Sequence, residues 1–559
     1  ANGNFQSDLS SYVAAGYNNT TNGGQSFIGG GFNNVAYGAY TAIGGGQYNN
    51  VSGTHSFIGA GFTNSNIKNY GFIGGGFINL NSGLYASIVG GVSGINSGDY
   101  SFIGGGQSNK IRNNHSSIIG GLNNLILAPY SNINGGQNHI VSGNYAAVGG
   151  GLNNKIYNSY SNIDGGWDNI ISGVGPGYSA IEGGYANSIS TAYSNINGGT
   201  GNKISNASDY SVIGGGGNNI IKSGDYSIIA GGSNNTSSGY NSSILGGFSN
   251  TISIGNNSFI GAGQANEITA SFSVINGGEG NKVNNEHSFI GGGLFNEIYS
   301  NASNIGGGET NILSGAYSSI NAGYNNDLIG TASFLGGGSE NNINASYSVV
   351  GGGEVNNIIN GNHSVIAGGL SNNSTGEKSS IGGGYDNFIS GSNSIIAGGA
   401  GNKVLSSYST IAGGANHTIR NIYSSIGGGF LNSISGGFST IGGGDTNLIS
   451  GNYSCILGGG NHYNSGEYAS ILGGRSAQIP ASHAGSTVIA DGQSRIHLSR
   501  ATQACTLDFA SGTYFSLPRF AGASNQTGKF GEMAVSGSGL YICTGTAGSG
   551  WGRVFLSSF

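Results

Sequence analysis

The sequence contains little charge, proline, tryptophan or methionine. Charged residues make up 7% of its 559 residues, and there are only 4 Pro, 2 Trp and 1 Met. Because Pro is scarce and Gly does not recur at every third residue, a collagen-like triple helix is excluded. No run of 18 or more apolar residues predicts a membrane-spanning helix. Residues 1–10 (ANGNFQSDLS) have neither the basic start nor the apolar core of a signal peptide.

The few charged and sulfur-containing residues also restrict the expected partners. Sixteen Lys plus Arg against 22 Asp plus Glu give a net charge of −6. No cluster of cations could neutralise phosphates, so we expect no nucleic-acid partner. The three cysteines, Cys455, Cys505 and Cys543, show neither metal-ligand spacing nor a CxxC motif. We therefore expect no metal and no cofactor, and a bond between Cys505 and Cys543 remains open.

Glycine, in contrast, is abundant, with 115 residues arranged in a repeat. SFIGGGFNNVAYGAY at 26–40 is followed by TAIGGGQYNNVSGTH at 41–55 and SFIGAGFTNSNIKNY at 56–70. The register holds over residues 11–483 as 31 units of fifteen residues, with eight inserted residues in five of the units. Internal repetition of this kind determines the fold class before any local pattern does.

The positions of the repeat differ in how often the same residue type occurs there. The third position is Ile, Val or Leu in all 31 units, and it is Ile in 27. The sixth position is Gly in all 31 units, the ninth is Asn in 26, the first is Ser in 26 and the last is Tyr in 17. We call the set of residues at one position a column.

Fifteen residues are too few for a pair of packed helices, and this density of Gly would destabilise a helix. The repeat predicts an all-β fold, a parallel β-solenoid of about 31 coils. The first strand would span positions one to four with the third-position Ile inward, and the second would bury position eleven, as at Val51. The Gly at position six would turn the chain with a positive φ, and Ser52-Gly53 would make the return turn. Coils stacked about 4.8 Å apart would form a rod of about 150 Å.

We expect the solenoid to be a homotrimer. Each coil offers a small core, and the repeated Gly pairs, such as Gly30-Gly31, have no side chain to hold another backbone away. Phe at position two, as at Phe27, would add apolar contact between copies. The Ser-x-Ile-Gly and Asn-x-Ile rhythm of 11–483 resembles the left-handed β-roll head of trimeric autotransporter adhesins of the YadA type. That resemblance implies a left-handed, trimeric coil, although the family's units are usually about fourteen residues long and Ala-rich.

The repeat ends near residue 484, and we predict a small all-β C-terminal cap over 484–559 that serves trimerisation or receptor binding. The segment GEMAVSGSGLYICTGTAGSGWGRV at 531–554 is similar to C-terminal segments of bacteriophage tail-fibre and tail-spike proteins. The resemblance implies a phage tail fibre on the virion, with 1–10 as a leader or attachment segment. Its partners would be other tail or baseplate proteins and a host-surface polysaccharide or outer-membrane receptor, without membrane insertion.

Two alternatives remain beside the fibre. One is a bacterial trimeric surface adhesin located outside the cell, and the other is a tail-spike polysaccharide depolymerase. Hydrolysis of a polysaccharide needs two carboxylates about 5–9.5 Å apart. Glu297 and Glu309 lie in adjacent units but at positions ten and seven, and the acids are not confined to one column. We therefore predict a protein that is not an enzyme and has no catalytic residues.

The candidate receptor-binding residues lie in the cap, because aperiodic loops carry specificity. The alternative is that the same side chains pack the cap core. A second candidate is the column at position fifteen, which would form a stripe of rings such as Tyr40 and Tyr70. We expect these rings to stack on one another, with five His as ring substitutes, and sugar stacking is the alternative. The cap candidates are Tyr514, Arg519, Tyr541 and Trp551.

Overall fold

The computed structural model describes residues 3–173, 177–489, 507–509, 533–536, 539–543 and 551–554. In these ranges the chain consists of β-strands and turns, with no helix. Two compact units, residues 1–377 and 378–559, divide the chain. Each unit contains parallel coils with a spacing of about fifteen residues, and the described residues form about 32 coils in total, close to the number predicted.

In the first unit, two parallel sheets run through the stacked coils. The first sheet uses positions two and three, from Tyr12–Val13 and Phe27–Ile28 to Val365–Ile366. The second sheet uses positions ten and eleven, from Phe5–Gln6 and Thr20–Thr21 to Asn373–Ser374. The described strands have two residues each, except for Lys203–Ser205, Ile220–Lys222, Asn342–Asn344 and Asn357–Ile359.

The second unit repeats both sheets and adds a short antiparallel one. Its first sheet runs from Ser380–Ile381 to Ser470–Ile471, Thr487–Ile489 and Leu507–Phe509, and its second from Phe388–Ile389 to Gln478–Ile479. Met533–Ser536, Gly539–Cys543 and Trp551–Val554 form the antiparallel sheet. The parallel pairing thus extends beyond 483, just as Phe5–Gln6 pairs with Thr20–Thr21 ahead of residue 11.

The coil at 116–130 shows how the core is built. Strand register places equal positions above each other, so that Ile118 pairs with Ile133 in the next coil. Ile118 and Ile126, at positions three and eleven, are fully buried, as predicted from the columns. Each such side chain stabilises the stack by about 1.5–3 kcal/mol relative to an exposed one. Asn124 and Ser116 are buried beside them, so the core is partly polar.

Three backbone positions in each coil take a left-handed conformation. The predicted one is position six, where Gly121 has φ 94°. Positions eight and fifteen were not predicted, and there Asn123 has φ 57° and Tyr130 has φ 59°. Left-handed backbone costs a residue with a side chain about 1–2 kcal/mol. The backbone N–H of these residues donates to a carbonyl oxygen of the preceding coil, as Asn123 does to Gln107 at 2.8 Å and Tyr130 to Asn114 at 3.0 Å, and these bonds offset part of the cost.

The glycines of positions five and six have different surroundings. A Cβ on Gly121 would overlap the carbonyl oxygen of Gly136 in the next coil, whereas a Cβ on Gly120 would meet nothing within 4 Å. Gly293 is likewise blocked by the Gly308 oxygen of its own chain. The Gly at position six is therefore required by stacking within one chain, and only position five offers the bare surface on which the trimer prediction depends.

Candidate functional site

The predicted cap residues lie at the end of the second unit. Tyr514 and Arg519 are outside the described residues. Tyr541 lies in Gly539–Cys543, where it pairs with Ala534 on one side and Arg553 on the other. Trp551 begins the next strand and pairs with Cys543. The backbone thus brings the Tyr541 and Trp551 strands side by side, and receptor binding by these residues stays a prediction.

The column at position fifteen forms a continuous ladder of rings in the first unit. Tyr130 stacks on His115 with 4.8 Å between ring centroids and on Tyr145 with 4.7 Å. The interplanar angles of these two pairs are 2° and 4°. The predicted stacking is confirmed, and four of the five His rings of this column, His55, His115, His287 and His363, stack as substitutes for Tyr. His483 contacts no aromatic ring among the described residues. The unbroken series comprises Tyr40, His55, Tyr70, Tyr85, Tyr100, His115, Tyr130, Tyr145, Tyr160, Tyr178, Tyr193, Tyr210 and Tyr226.

Stacking determines which part of each ring a ligand can reach. Tyr130 is 49% exposed, but its two faces lie against His115 and Tyr145. Only the ring edge and the hydroxyl face solvent. A sugar binds an aromatic residue through the ring face, so the interior of this ladder is structural rather than a sugar platform.

Tyr317 differs from the other tyrosines of this column. Ala302 and Ala332 occupy the column in the two adjacent coils, and among the described residues no aromatic ring contacts Tyr317. Its exposure rises to 72% as a result. This position therefore presents an aromatic face to solvent, which the sequence repeat alone did not single out.

The asparagine column is buried and connects the coils. The Asn124 backbone N–H donates to Asn109 Oδ1 at 3.0 Å, and its Nδ2 donates to the carbonyl oxygens of Gly120 and Gly136, both at 3.1 Å. Its own Oδ1 accepts the backbone N–H of His139 at 3.0 Å. The predicted Asn ladder is confirmed, and these side chains are not free to bind a ligand.

Three histidines replace Asn in this column. His139 Nδ1 accepts the backbone N–H of Asn154 at 3.1 Å, which is the role of an Asn Oδ1. Burial lowers the pKa of His139 from its ordinary value, and the same cause lowers the pKa of His417 and of His462. A buried neutral imidazole that accepts a backbone N–H is a structural group here rather than an acid–base catalyst.

Glu297 and Glu309, which lie in adjacent coils, have different surroundings. Glu297 forms an ion pair with Lys282 at 3.8 Å and accepts a hydrogen bond from the Tyr299 hydroxyl. This hydrogen bond raises the pKa of Tyr299. Glu309 lies in the bridge column at position seven, between Leu294 and Tyr324. Within the described ranges, no three His, Cys, Asp or Glu residues come together to hold a metal ion, and no helix is long and apolar enough to cross a membrane.

A groove with positive charge lies on the second sheet of the first unit, over coils 101–160. Its cavity has a volume of about 300 Å³. The cations belong to repeat units up to three coils apart, so their proximity could only have been found by reading position ten as a column. The residues that line it include Lys110, Arg112, Asn123, Leu125, Asn138, Ile140, Asn153 and Lys155.

Comparison with known proteins adds no family to these observations. The chain matches no protein-family model, and no curated protein sequence matches it.

Proposed function

We propose that this chain is a non-enzymatic structural fibre of a phage virion, which assembles as a homotrimer and binds a host-surface polysaccharide. The proposal rests on one observation: the buried side chains of each coil hold neighbouring coils together. Ile118 and Asn124 are fully buried and interact with the coils on either side. A coil built in this way can be repeated without limit, and it presents the same surface columns at each step.

The surface columns support binding rather than catalysis. Repeated exposed groups suit a polymeric ligand, because several weak contacts along one chain add up through multivalency. Tyr317 supplies an open aromatic face. The groove at coils 101–160 supplies cations and amides. The similarity of 531–554 to tail-fibre segments favours a virion over a bacterial surface as the location of such a protein.

Adsorption of virions to host cells tests this proposal. Antibody raised against residues 484–559 should label virions in electron micrographs and should block adsorption. Antibody against an unrelated virion protein should label virions without blocking adsorption. Virions that lack the chain but adsorb normally would contradict a role in host recognition. Sedimentation equilibrium of the purified chain should give three times the monomer mass of 55.8 kDa, and a monomer would contradict the trimer.

A further inference from the structure

The groove over coils 101–160 combines three features of a ligand site. It has a cavity of about 300 Å³, three cations in its lining and an apolar floor. Lys110 and Lys155 lie at position ten, and Arg112 lies two residues after Lys110. None of the residues that line the cavity is a carboxylate.

Strand pairing determines the spacing of these cations. Lys110 pairs with Leu125, Leu125 pairs with Ile140, and Ile140 pairs with Lys155. Three steps of about 4.8 Å separate the two lysine backbones by about 14 Å. Leu125 and Ile140 are half-buried between them. The groove therefore has a positive charge at each end and an apolar surface in the middle.

Asparagines at position eight form one wall of the groove. Asn123 Nδ2 donates to Asn138 Oδ1 at 2.9 Å, and Asn153 continues the column. Asn138 and Asn153 line the cavity, and their amide groups can exchange hydrogen bonds with hydroxyl groups there. Asp168 follows Asn153 in this column, one coil further along, and it does not line the cavity.

The lysines of this groove differ from another lysine of the same column. Lys282 has Glu267 and Glu297 as its strand neighbours and forms an ion pair with Glu297. Lys110 and Lys155 have the apolar neighbours Leu125 and Ile140 instead. The charge of Lys282 is therefore neutralised by an ion pair within the chain, whereas Lys110 and Lys155 present their charges to solvent in the groove.

We propose that this groove binds an anionic polysaccharide whose sugar rings carry carboxylates. The Lys110 and Lys155 ammonium groups pair with carboxylates on separate sugars, the apolar sugar faces cover Leu125 and Ile140, and the Asn wall bonds to sugar hydroxyls. This inference rests on the proposed function, because it names the class of host polysaccharide that the fibre takes.

Titration calorimetry with a short oligogalacturonate tests the inference, with an uncharged maltooligosaccharide of equal length as the neutral probe. The full-length chain should bind the first and not the second, with an affinity that falls as salt is added. Lys110→Gln combined with Lys155→Gln should lower the affinity roughly twofold to thirtyfold, as expected for the loss of two exposed ion pairs. Lys403→Gln, at position ten of a coil in the second unit, is the matched control and should leave the affinity unchanged.

The outcomes separate this inference from the proposed function. Equal affinity of the double variant and the original chain, or equal binding of the neutral probe, overturns the inference. A normal circular dichroism spectrum and melting temperature of the variants exclude a folding defect as the cause of lost binding. If oligogalacturonate binds through the two lysines but the chain has no part in adsorption, the proposed function is contradicted, whereas the proposed binding site in the groove is supported.

Discussion

Replacing Gly121 with Ala should open the solenoid locally, whereas the same change at the adjacent Gly120 should not. A Cβ at Gly121 overlaps the Gly136 oxygen, and the φ of 94° is unfavourable for Ala. The left-handed conformation costs about 1–2 kcal/mol. Moving Gly136 away also breaks its hydrogen bonds from the Leu122 N–H at 2.9 Å and from Asn124 Nδ2 at 3.1 Å, each worth about 1 kcal/mol.

These contributions sum to about 3–4 kcal/mol for the free energy of local opening. Hydrogen exchange followed by mass spectrometry should show faster exchange in Gly121→Ala for peptides that cover 116–136, and unchanged exchange in distant coils. Gly120→Ala should change exchange less than Gly121→Ala, because its Cβ meets nothing within 4 Å in its own chain. Equal effects of the two substitutions would refute the assignment of position six to contacts within one chain.

Three further changes test the other columns. Asn124→Ala should speed exchange in the same coils by lowering the free energy of local opening by about 2–4 kcal/mol, because it removes the hydrogen bonds to the Gly120 and Gly136 carbonyls and leaves the His139 N–H without a partner. Asn124→His should lower it less. Ile290→Asp should cost several kcal/mol because it buries an unpaired carboxylate, whereas Ile290→Val should cost about 1 kcal/mol by the same measurement. Burial lowers the pKa of His139, so its contribution to stability is complete above pH 6.5, its ordinary pKa, and is lost as the pH falls through its folded value. After correction for the intrinsic pH dependence of amide exchange, protection near His139 should therefore fall at acidic pH in the original chain and stay constant in His139→Asn; pH-independent protection in the original chain would contradict this.

Much of the fold follows from column identity alone. An aliphatic residue at position three in all 31 units indicates one buried line, since only a stacked repeat brings residues fifteen apart into contact. Ile118 and Ile133 pair as this reasoning requires. The stacking of the position-fifteen rings follows for the same reason, because neighbouring coils place equal side chains about 4.8 Å apart.

Other features did not follow from the columns. The left-handed conformation at Tyr130 is unfavourable for Tyr by itself, and its hydrogen bond to the Asn114 carbonyl of the preceding coil at 3.0 Å helps to offset the cost. The lone ring of Tyr317 depends on the absence of rings in two other coils. The groove depends on Lys110 and Lys155, which are 45 residues apart in the sequence and carry no motif.

The sequence by itself determined that the chain is a stacked β-repeat, because strict periodicity is a property of every unit and needs no long-range information. Tertiary structure decided which glycine has no room for a side chain within its own chain, as at Gly121, and which one has that room, as at Gly120. Tertiary structure also decided that the cations Lys110, Arg112 and Lys155 line one groove. Both depend on what the next coil places a few ångströms away, and that distance is set by stacking rather than by the order of residues along one coil.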